Sequence, residues 1–369
     1  MGSSDVCPAS MNDRQEFFDV DEDDLTDAHP NWYPHPYSAG GKMKAFLKRC
    51  LFVFLLVAAG LWLNNTSAFV SVPDNQRPQL LAHRGVHQIY AGHDRTRDTC
   101  TANPIMPMEH DFIANTLRSM NAAFAAGADI VELDVHLTTD GVFAVYHDWT
   151  LDCQSDGTGV THKQSFAYLK GLDIGFGYTS DGETFPLRGK AIGAIPSLTE
   201  VLEADIGGQY LVNFKSNRAE EGHHLADLLK DSDFSSQLFG VYGGRGPTQA
   251  ALARHDALRG FDKPALKDCL LSYILIGWSG AVPDACQNTL VAVPMDYAPY
   301  LWGWPHKFTK RMGNAGTKVI LWGPYDGAGF SSGIDDKETL SRVPDHFDGI
   351  IWTNKIEVIG PALVARNRP

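Results

Sequence analysis

The sequence lacks the features that mark several common protein classes. Its 369 residues carry a formal net charge of −13 and form no basic stripe, which argues against nucleic acid as a partner. The six cysteines show no CxxC pair and no Cys/His spacing typical of zinc sites. The glycine-rich YGGRG lacks the GK[ST] of a P-loop. No internal repeat is visible, so a repeat architecture is not expected.

The sequence has a single long hydrophobic segment, near its N-terminus. Four basic residues (Lys42, Lys44, Lys48 and Arg49) precede an uncharged stretch from Cys50 to Leu63. This asymmetry places the N-terminus in the cytoplasm and the chain after residue 65 outside it. The strictly apolar stretch has the length of the hydrophobic region of a signal sequence, about 7–15 residues. If the segment is counted from Ala45, its length approaches the roughly 20 residues that a membrane-spanning helix needs. We predict a membrane anchor over residues 43–65, with a cleaved signal and secretion as the alternative.

The composition divides the rest of the chain. Residues 1–42 are rich in acidic residues, as in DVDEDDLTD, and we predict a disordered acidic tail. Residues 66–78 form a linker, and residues 79–369 form the folded, periplasmic or extracellular domain.

From residue 79 onward, short β-branched runs alternate with helical patterns. Runs that are apolar on both faces and separated by helices indicate a parallel sheet. About eight such units predict an α/β fold of the TIM-type (β/α)8 barrel. The sixth strand is weak, since ALKDCLLSYILIGW is ambiguous and favours a helix. The predicted strands are QLLAHRG, DIVELDV, VFAVYHD, YLVNFKS, QLFGVYGG, TLVAVPM, KVILWGPY and GIIWTN.

One connection has no room for a crossover helix. Between Val135 and Val142 the chain must return directly or form a hairpin, with Asp140-Gly141 as its turn. Either arrangement brings His147 to the level of the preceding strand.

Two carboxylates lie inside that preceding strand. Glu132 and Asp134 are two residues apart and therefore face the same side. Burying two unpaired carboxylates side by side costs folding free energy, because they repel each other and lose their hydration. A positively charged partner is therefore required. Hard oxygen ligands without thiolate favour Ca²⁺ or Mg²⁺.

In enzymes with a TIM barrel, the active site lies at the carboxyl ends of the strands. The residues expected there are His83, Arg84, Glu132, Asp134, His147, Asp148, Asn213, Lys215, Trp322 and Trp352. Two histidines can divide the acid and base roles, and arginine with lysine suits an anionic phosphate. The set predicts metal-assisted phosphoryl transfer.

The chain from about Leu80 to about Val358 resembles the glycerophosphodiester phosphodiesterases. LLAHRG is similar to their first strand, and the segment from NTLRSM through VELDVHLTTDG to YHDWT is similar to their longest signature. The resemblance implies a TIM barrel that hydrolyses glycerophosphodiesters to glycerol phosphate and an alcohol. It also implies His83 and His147 as the catalytic pair, with Glu132 and Asp134 on a divalent cation.

The resemblance has gaps. Ala114 stands where the family usually has glutamate, and Asn213 replaces the third metal carboxylate. We keep Asn213 as a predicted, weaker ligand. Thr353-Asn354 replaces the usual Thr-Asp, and an insertion over Val86–Phe112 is expected to cover the site. Arg84, Lys215 and Trp352 are predicted substrate contacts.

Four cysteines lie in the exported part, which permits two disulfides. Cys100 in the insertion and Cys153 beyond the third strand lie over one rim. Cys269 and Cys286 flank one helix-to-strand connection. We therefore predict the pairs 100–153 and 269–286.

Two other functions fit the same residues. One is a phospholipase-D-like enzyme acting on lysophospholipid or sphingolipid, which the anchor and the aromatic APYLWGWPHKF segment favour. The other is a non-catalytic module that binds phosphodiesters, which Ala114 and Asn213 favour.

Overall fold

The structure is a computed structural model that describes residues 39–73, 76–92, 96, 98–230, 232–325, 327 and 332–366. The predicted disordered tail lies outside the described residues, except for its last four, which are helical. The described residues divide into two units, with the boundary between Leu55 and Leu56.

After the first helix, which begins in the first unit and ends in the second, strands and helices alternate along the second unit. In chain order the elements are α1 (Ala39–Asn65), β1 (Gln79–His83), α2 (Leu117–Ala125), β2 (Ile130–Leu137), β3 (Phe143–Val145), α3 (Phe166–Lys170), α4 (Leu198–Glu203), β4 (Gln209–Phe214), α5 (Ala219–Lys230), β5 (Leu238–Gly243), α6 (Arg245–Leu252), β6 (Gly260–Asp262), α7 (Lys263–Ile276), β7 (Leu290–Pro294), α8 (His306–Asn314), β8 (Lys318–Trp322), α9 (Lys337–Ser341), β9 (Ile350–Thr353) and α10 (Ile356–Arg366).

Eight of these strands form one parallel, nearly closed barrel. Its strand order is β6-β5-β4-β2-β1-β9-β8-β7. At the two ends of this order, Thr289 Oγ1 donates to the Gly260 carbonyl across 2.6 Å. The predicted TIM-type barrel is confirmed.

The weak sixth strand is β6, which has only three residues. It pairs with β5 and leads directly into α7, where the Asp262 side chain caps the helix by accepting from Ala265 N–H. The ambiguous segment is therefore helical, as predicted. A strand so short gives almost no periodic signal in the sequence.

The unusual connection after β2 is a hairpin. β3 pairs antiparallel with β2 through Val135–Val145 and Leu137–Phe143. Gly141 has a φ of 78° at the turn, a conformation that glycine adopts without steric cost. The hairpin carries the chain back toward the carboxyl end of β2, and His147 follows β3 by two residues.

The two faces of β2 have different surroundings. Val131, Leu133 and Val135 belong to the core between the barrel and its helices. Ile130 lies in the second cluster, inside the barrel. Because side chains alternate, Glu132 and Asp134 share the inner face with Ile130.

Both predicted disulfides are confirmed. Cys100 is bonded to Cys153 and Cys269 to Cys286. The first joins the insertion to the segment after β3, beside a third apolar cluster that includes Ile105, Tyr146 and Leu151.

Among the described residues, one helix has the length and composition to cross a membrane. It covers Lys42–Asn65 within α1. Signal sequences meet the same criteria, so the helix is compatible with both the predicted anchor and the cleaved alternative.

Candidate active site

The carboxyl end of β1 turns sharply to present two functional side chains. Arg84 has a φ of 58° and Gly85 a φ of 75°. A Cβ on Gly85 would lie 2.8 Å from the Ser119 backbone carbon, so the turn requires glycine here. Left-handed arginine is uncommon, and such conformations concentrate at functional sites. The HRG motif is thus a backbone turn that aims His83 and Arg84 at the rim.

Strand register brings the predicted residues together. His83 lies beside Glu132 in the β1–β2 pair, and Asp134 lies beside Asn213 in the β2–β4 pair. His83 Nε2 is 3.7 Å from Glu132 Oε2. Both carboxylates are fully buried.

Asp134 is surrounded by positive groups and amides. Arg84 Nε lies 3.2 Å and Lys215 Nζ 3.4 Å from its oxygens. Asn115 Nδ2 and Asn213 Nδ2 each donate to it, across 2.9 and 2.8 Å. Burial would raise the pKa of Asp134, but the charges of Lys215 and Arg84 act against burial and the pKa is lowered. Asp134 is therefore ionised.

Glu132 has the opposite environment. Burial and the neighbouring charge of Asp134 raise its pKa to about 8. Tyr242 on β5 donates to Glu132 Oε1 across 2.6 Å, whereas Oε2 is buried without a hydrogen-bond partner. One carboxylate is thus satisfied by the protein, and the other has a free oxygen.

His83 is held in one tautomer. Its Nδ1 lies 2.6 Å from Asn354 Oδ1. Asp335 accepts from Asn354 Nδ2 across 2.7 Å and from the Asn354 backbone N–H, so the amide must turn its oxygen to the histidine. Nδ1 therefore carries the proton and Nε2 keeps its lone pair.

His147 has a carboxylate partner instead. Its Nδ1 donates to Asp148 Oδ1 across 2.7 Å. Thr101 of the insertion donates to the same oxygen across 2.8 Å. Burial acts to raise the pKa of Asp148, but these hydrogen bonds and the interaction with His147 lower it. An ionised Asp148 supports an imidazolium at His147 better than an amide could.

Both histidines are neutral in the free site. Burial, followed by the charge of Arg84, lowers the pKa of His83 well below its usual value. Burial and the charges of Arg84 and Lys215 lower the pKa of His147 to about 4, against the opposing effects of Asp134 and Asp148. An anion bound between Arg84 and Lys215 would offset their positive charges and so raise the pKa of His147.

Trp352 lies under the site in the barrel interior. It is fully buried, and its ring centroid is 5.0 Å from that of His83. Its contact with substrate stays a prediction. From the insertion, the His87 ring lies 5.7 Å from His83 on another side. Through His87 and Thr101 the insertion lies against the site.

The residues present fit a divalent cation with few acidic ligands. Glu132 Oε2, buried and without a partner, lies on the same face as ionised Asp134, and carboxylate oxygens suit Ca²⁺ or Mg²⁺. Asn213 turns its Nδ2 toward Asp134, so ligation through Oδ1 would require the amide to turn. In the part of the chain that the structure describes, no three His, Cys, Asp or Glu side chains converge as a metal cluster. Two carboxylates and an amide predict weak affinity.

Four residues of the site were not predicted as functional. They are Tyr242, Asp335, Asn115 and Thr101, which hold Glu132, Asn354, Asp134 and Asp148 respectively. Asn115 follows Ala114 directly and belongs to the Asn-Thr pair of the signature. The other three carry no local pattern that distinguishes them.

The fold and the rim together define a parallel barrel with a His/His, carboxylate and cation site at its strand ends. The profile of the glycerophosphoryl diester phosphodiesterase family matches residues 83–242. A glycerophosphodiester phosphodiesterase of Caldanaerobacter subterraneus is 38% identical over 101 residues, which are 27% of this chain and 38% of the relative. Glycerophosphodiester phosphodiesterase 1 of Homo sapiens is 35% identical over 79 residues, covering 21% of this chain and 24% of the relative. The matches thus span well under half of each relative.

Solved structures agree in fold over a longer range. A glycerophosphoryl diester phosphodiesterase domain from Mycobacterium tuberculosis superimposes with a TM-score of 0.52 at 17% identity, covering 78% of this chain and 99% of that one. A putative glycerophosphoryl diester phosphodiesterase from Silicibacter pomeroyi gives a TM-score of 0.52 at 16% identity, with coverages of 80% and 96%. Residues 83–242 thus match the glycerophosphoryl diester phosphodiesterase family, and the barrel fold is shared with these solved structures over most of the chain.

Proposed function

We propose that this protein hydrolyses glycerophosphodiesters to glycerol phosphate and an alcohol. One observation carries the proposal: the two rim histidines have opposite partners, an amide at His83 and a carboxylate at His147. An acid–base pair needs such a difference, because one imidazole must accept a proton while the other donates one.

The phosphate would bind between Arg84 and Lys215. Their side chains are 16% and 18% exposed, so both can reach a ligand while remaining paired with Asp134. Arginine can contact two phosphate oxygens at once, and both cations would stabilise charge on the equatorial oxygens.

His83 acts as the base. Its protonated Nδ1 is held by Asn354, so Nε2 is the atom that removes the proton from the attacking hydroxyl, of water or of the glycerol moiety. As the new P–O bond forms, the bond to the alcohol oxygen breaks. Where the glycerol hydroxyl attacks, the product of this step is a cyclic phosphate, which water then opens to glycerol phosphate.

His147 acts as the acid and transfers a proton to the leaving alcohol oxygen. A bound phosphodiester anion offsets the charges of Arg84 and Lys215, which lower the pKa of His147 in the free site. Asp148 then stabilises the imidazolium.

Glu132 and Asp134, with Asn213 as the third donor, would hold the divalent cation, which we propose to be Ca²⁺ or Mg²⁺. Such an ion supplies Lewis-acid polarisation of the phosphoryl group when it is bound.

We further propose that α1 anchors the protein in a membrane with the barrel outside the cytoplasm. The basic flank of the helix and the two disulfides support this location.

A diester panel tests the function. Purified full-length protein is assayed on glycerophosphocholine, glycerophosphoethanolamine and glycerophosphoinositol with EDTA, Ca²⁺ or Mg²⁺. We expect release of glycerol phosphate with an added cation and little with EDTA. Cation binding without turnover of any diester would instead support the non-catalytic module that Ala114 and Asn213 suggest.

A second candidate function is cleavage of acylated diesters in the manner of phospholipase D. Exposed Tyr297, Tyr300 and Tyr325 on the loops after β7 and β8 favour it, since they offer an apolar surface at the strand ends. Rates on glycerophosphocholine and lysophosphatidylcholine, compared directly, separate the two substrates.

A further inference from the structure

One helix of the barrel presents apolar side chains to the outside. Leu271, Ile274, Leu275 and Trp278 follow one another at helical spacing across α7 and the turn after it. They are 50%, 45%, 72% and 48% exposed. With Trp302, which is 37% exposed, they form a surface that we call the α7 face. Contiguous exposed apolar surface of this kind marks a site of protein or membrane contact.

The α7 face is fixed in this orientation by the opposite side of the helix. Cys269 and Tyr273 are buried there, and Cys269 is bonded to Cys286. Tyr273 Oη donates to the Trp302 carbonyl across 2.8 Å, and Trp302 Nε1 donates to the Ile274 carbonyl across 2.9 Å. The helix therefore cannot rotate to bury its outer stripe.

The α7 face is continuous with the end of α1, within the same compact unit. Asn64 Nδ2 and Asn65 Nδ2 both donate to the Trp278 carbonyl, across 3.0 and 2.9 Å. Arg311 Nη2 donates to the Asn64 carbonyl across 2.7 Å, and Lys307 Nζ donates to that of Leu63 across 3.1 Å. Two cations thus cap the free carbonyls of a helix C-terminus, a favourable arrangement.

Aromatic side chains surround this helix end. Trp62 and Phe69 pack edge to face with centroids 6.1 Å apart, and both are exposed. Trp278 lies next to Asn64 and Asn65, and Trp302 is bonded to α7. Tryptophans gather at membrane–water interfaces because the ring is apolar and its N–H is polar.

We propose that the α7 face rests on the lipid bilayer at the point where α1 leaves it. The proposal rests on the proposed anchor, because a helix that ends at the interface places Trp278 at the same depth. A lipid surface explains both the aliphatic stripe on α7 and the group of aromatic side chains around the end of α1. A second protein would require only the aliphatic stripe. The docked surface also includes Trp302, which lies in the loop after β7. That loop begins at the carboxyl end of the strand and so connects the docked surface to the rim of the site.

Fluorescence from single labelled cysteines tests the proposal in the full chain. Cys7 and Cys50 are first replaced by serine, and an NBD label is attached to Leu275→Cys. Ile192→Cys is the matched control, since Ile192 is 68% exposed but lies in the segment that pairs with Asp173. Leu55→Cys reports on the anchor itself. Each protein is reconstituted in phosphatidylcholine vesicles with or without nitroxide-labelled lipid.

We expect nitroxide lipid to reduce the emission at positions 275 and 55 and to leave the emission at position 192 nearly unchanged. Aqueous iodide should quench position 192 more strongly than position 275. Lipid quenching at position 55 but not at 275 would overturn the docking and leave the anchor intact. Absence of lipid quenching at both positions would overturn both. Neither outcome depends on catalysis, so the result is independent of the proposed reaction.

Discussion

His83 and Asn354 join the first and last strands of the barrel across the site. The Nδ1 of His83 donates to Asn354 Oδ1 across 2.6 Å. His83 ends β1 and Asn354 directly follows β9, and these two strands are paired through Leu80–Ile351 and Ala82–Thr353. Because the partner of Nδ1 is a neutral amide, this hydrogen bond orients His83 without placing a carboxylate on Nδ1 that would favour a protonated ring.

Asp335 should act as a positioning residue for this pair. In Asp335→Asn the carboxylate that fixes the Asn354 amide is lost, so His83 can adopt the tautomer with a proton on Nε2. We expect kcat to fall roughly 10–100-fold with little change in KM, as for other residues that orient a histidine. Steady-state kinetics on glycerophosphocholine measures this split.

The matched control is Asp336→Asn, which keeps the cap that residue 336 provides for α9 through Thr339. Its kinetics should be those of the wild type. If Asp335→Asn raises KM or lowers the melting temperature while kcat is unchanged, Asp335 has only a structural role.

The two catalytic histidines should differ in their dependence on the leaving group. In His147→Ala we expect kcat/KM on glycerophosphocholine to fall by about 10²–10⁴-fold, because the departing alkoxide needs a proton. On a p-nitrophenyl diester the loss should be much smaller, since p-nitrophenolate leaves unprotonated. His83→Ala should lose activity on both substrates, since activation of the nucleophile is needed in each case.

Rescue by the p-nitrophenyl substrate in His83→Ala rather than in His147→Ala would exchange the two roles. Equal losses on both substrates in both variants would contradict the division of labour. Circular dichroism of each variant checks that the fold is retained.

Much of the site could be predicted because strand periodicity fixes which way a side chain points. Glu132 and Asp134 share a face for that reason alone, and the hairpin before His147 follows from the short connection after β2. Both disulfides follow from where the barrel places the segments that carry the cysteines. The barrel itself follows from apolar runs separated by helices.

The supporting residues could not be predicted in this way. Tyr242 reaches Glu132 across 110 residues of sequence, and Thr101 reaches Asp148 across 47. Asp335 lies in a loop and contacts Asn354 only because β8 and β9 are adjacent. Such contacts depend on how strand ends converge in three dimensions, which no local pattern encodes.

Asn213 should limit cation affinity. Asn213→Glu restores a third carboxylate beside Asp134, and affinity for Ca²⁺ or Mg²⁺ rises with the number of charged ligands. We expect the dissociation constant to fall about tenfold, measured by isothermal titration calorimetry without substrate. Asn213→Gln, which has the length of glutamate without its charge, should not tighten binding. Equal affinities in wild type and Asn213→Glu would show that residue 213 lies outside the ligand set.

Two buried histidines that are not assigned a catalytic role should make stability depend on pH. Burial lowers the pKa of both His87 and His136 from 6.5 to about 3. Between these values the unfolded chain binds protons that the folded chain does not. The free energy of unfolding should therefore be fully retained above pH 6.5 and fall as the pH drops toward 3. Each histidine contributes up to about 1.4 kcal/mol per pH unit.

Urea unfolding at pH 6.5, 5.5 and 4.5 measures this slope. In His136→Gln the slope should decrease by about 1.4 kcal/mol per pH unit, whereas exposed His223→Gln should leave it unchanged. Identical slopes in the wild type and both variants would rule out proton uptake at His136.

The two disulfides should stabilise the fold to different extents. Cys100–Cys153 closes a sequence separation of 53 residues, and Cys269–Cys286 closes one of 17. In the chain-entropy model the longer loop contributes about 4 kcal/mol and the shorter about 3 kcal/mol.

Removing the first pair should also lower activity, because the insertion it fastens carries Thr101, which holds Asp148 beside His147. Urea unfolding and glycerophosphocholine turnover of the two Cys→Ser double variants measure both effects. We expect the variant lacking Cys269–Cys286 to lose stability while keeping kcat. A larger loss of kcat in that variant than in the one lacking Cys100–Cys153 would refute the proposed link between the insertion and His147.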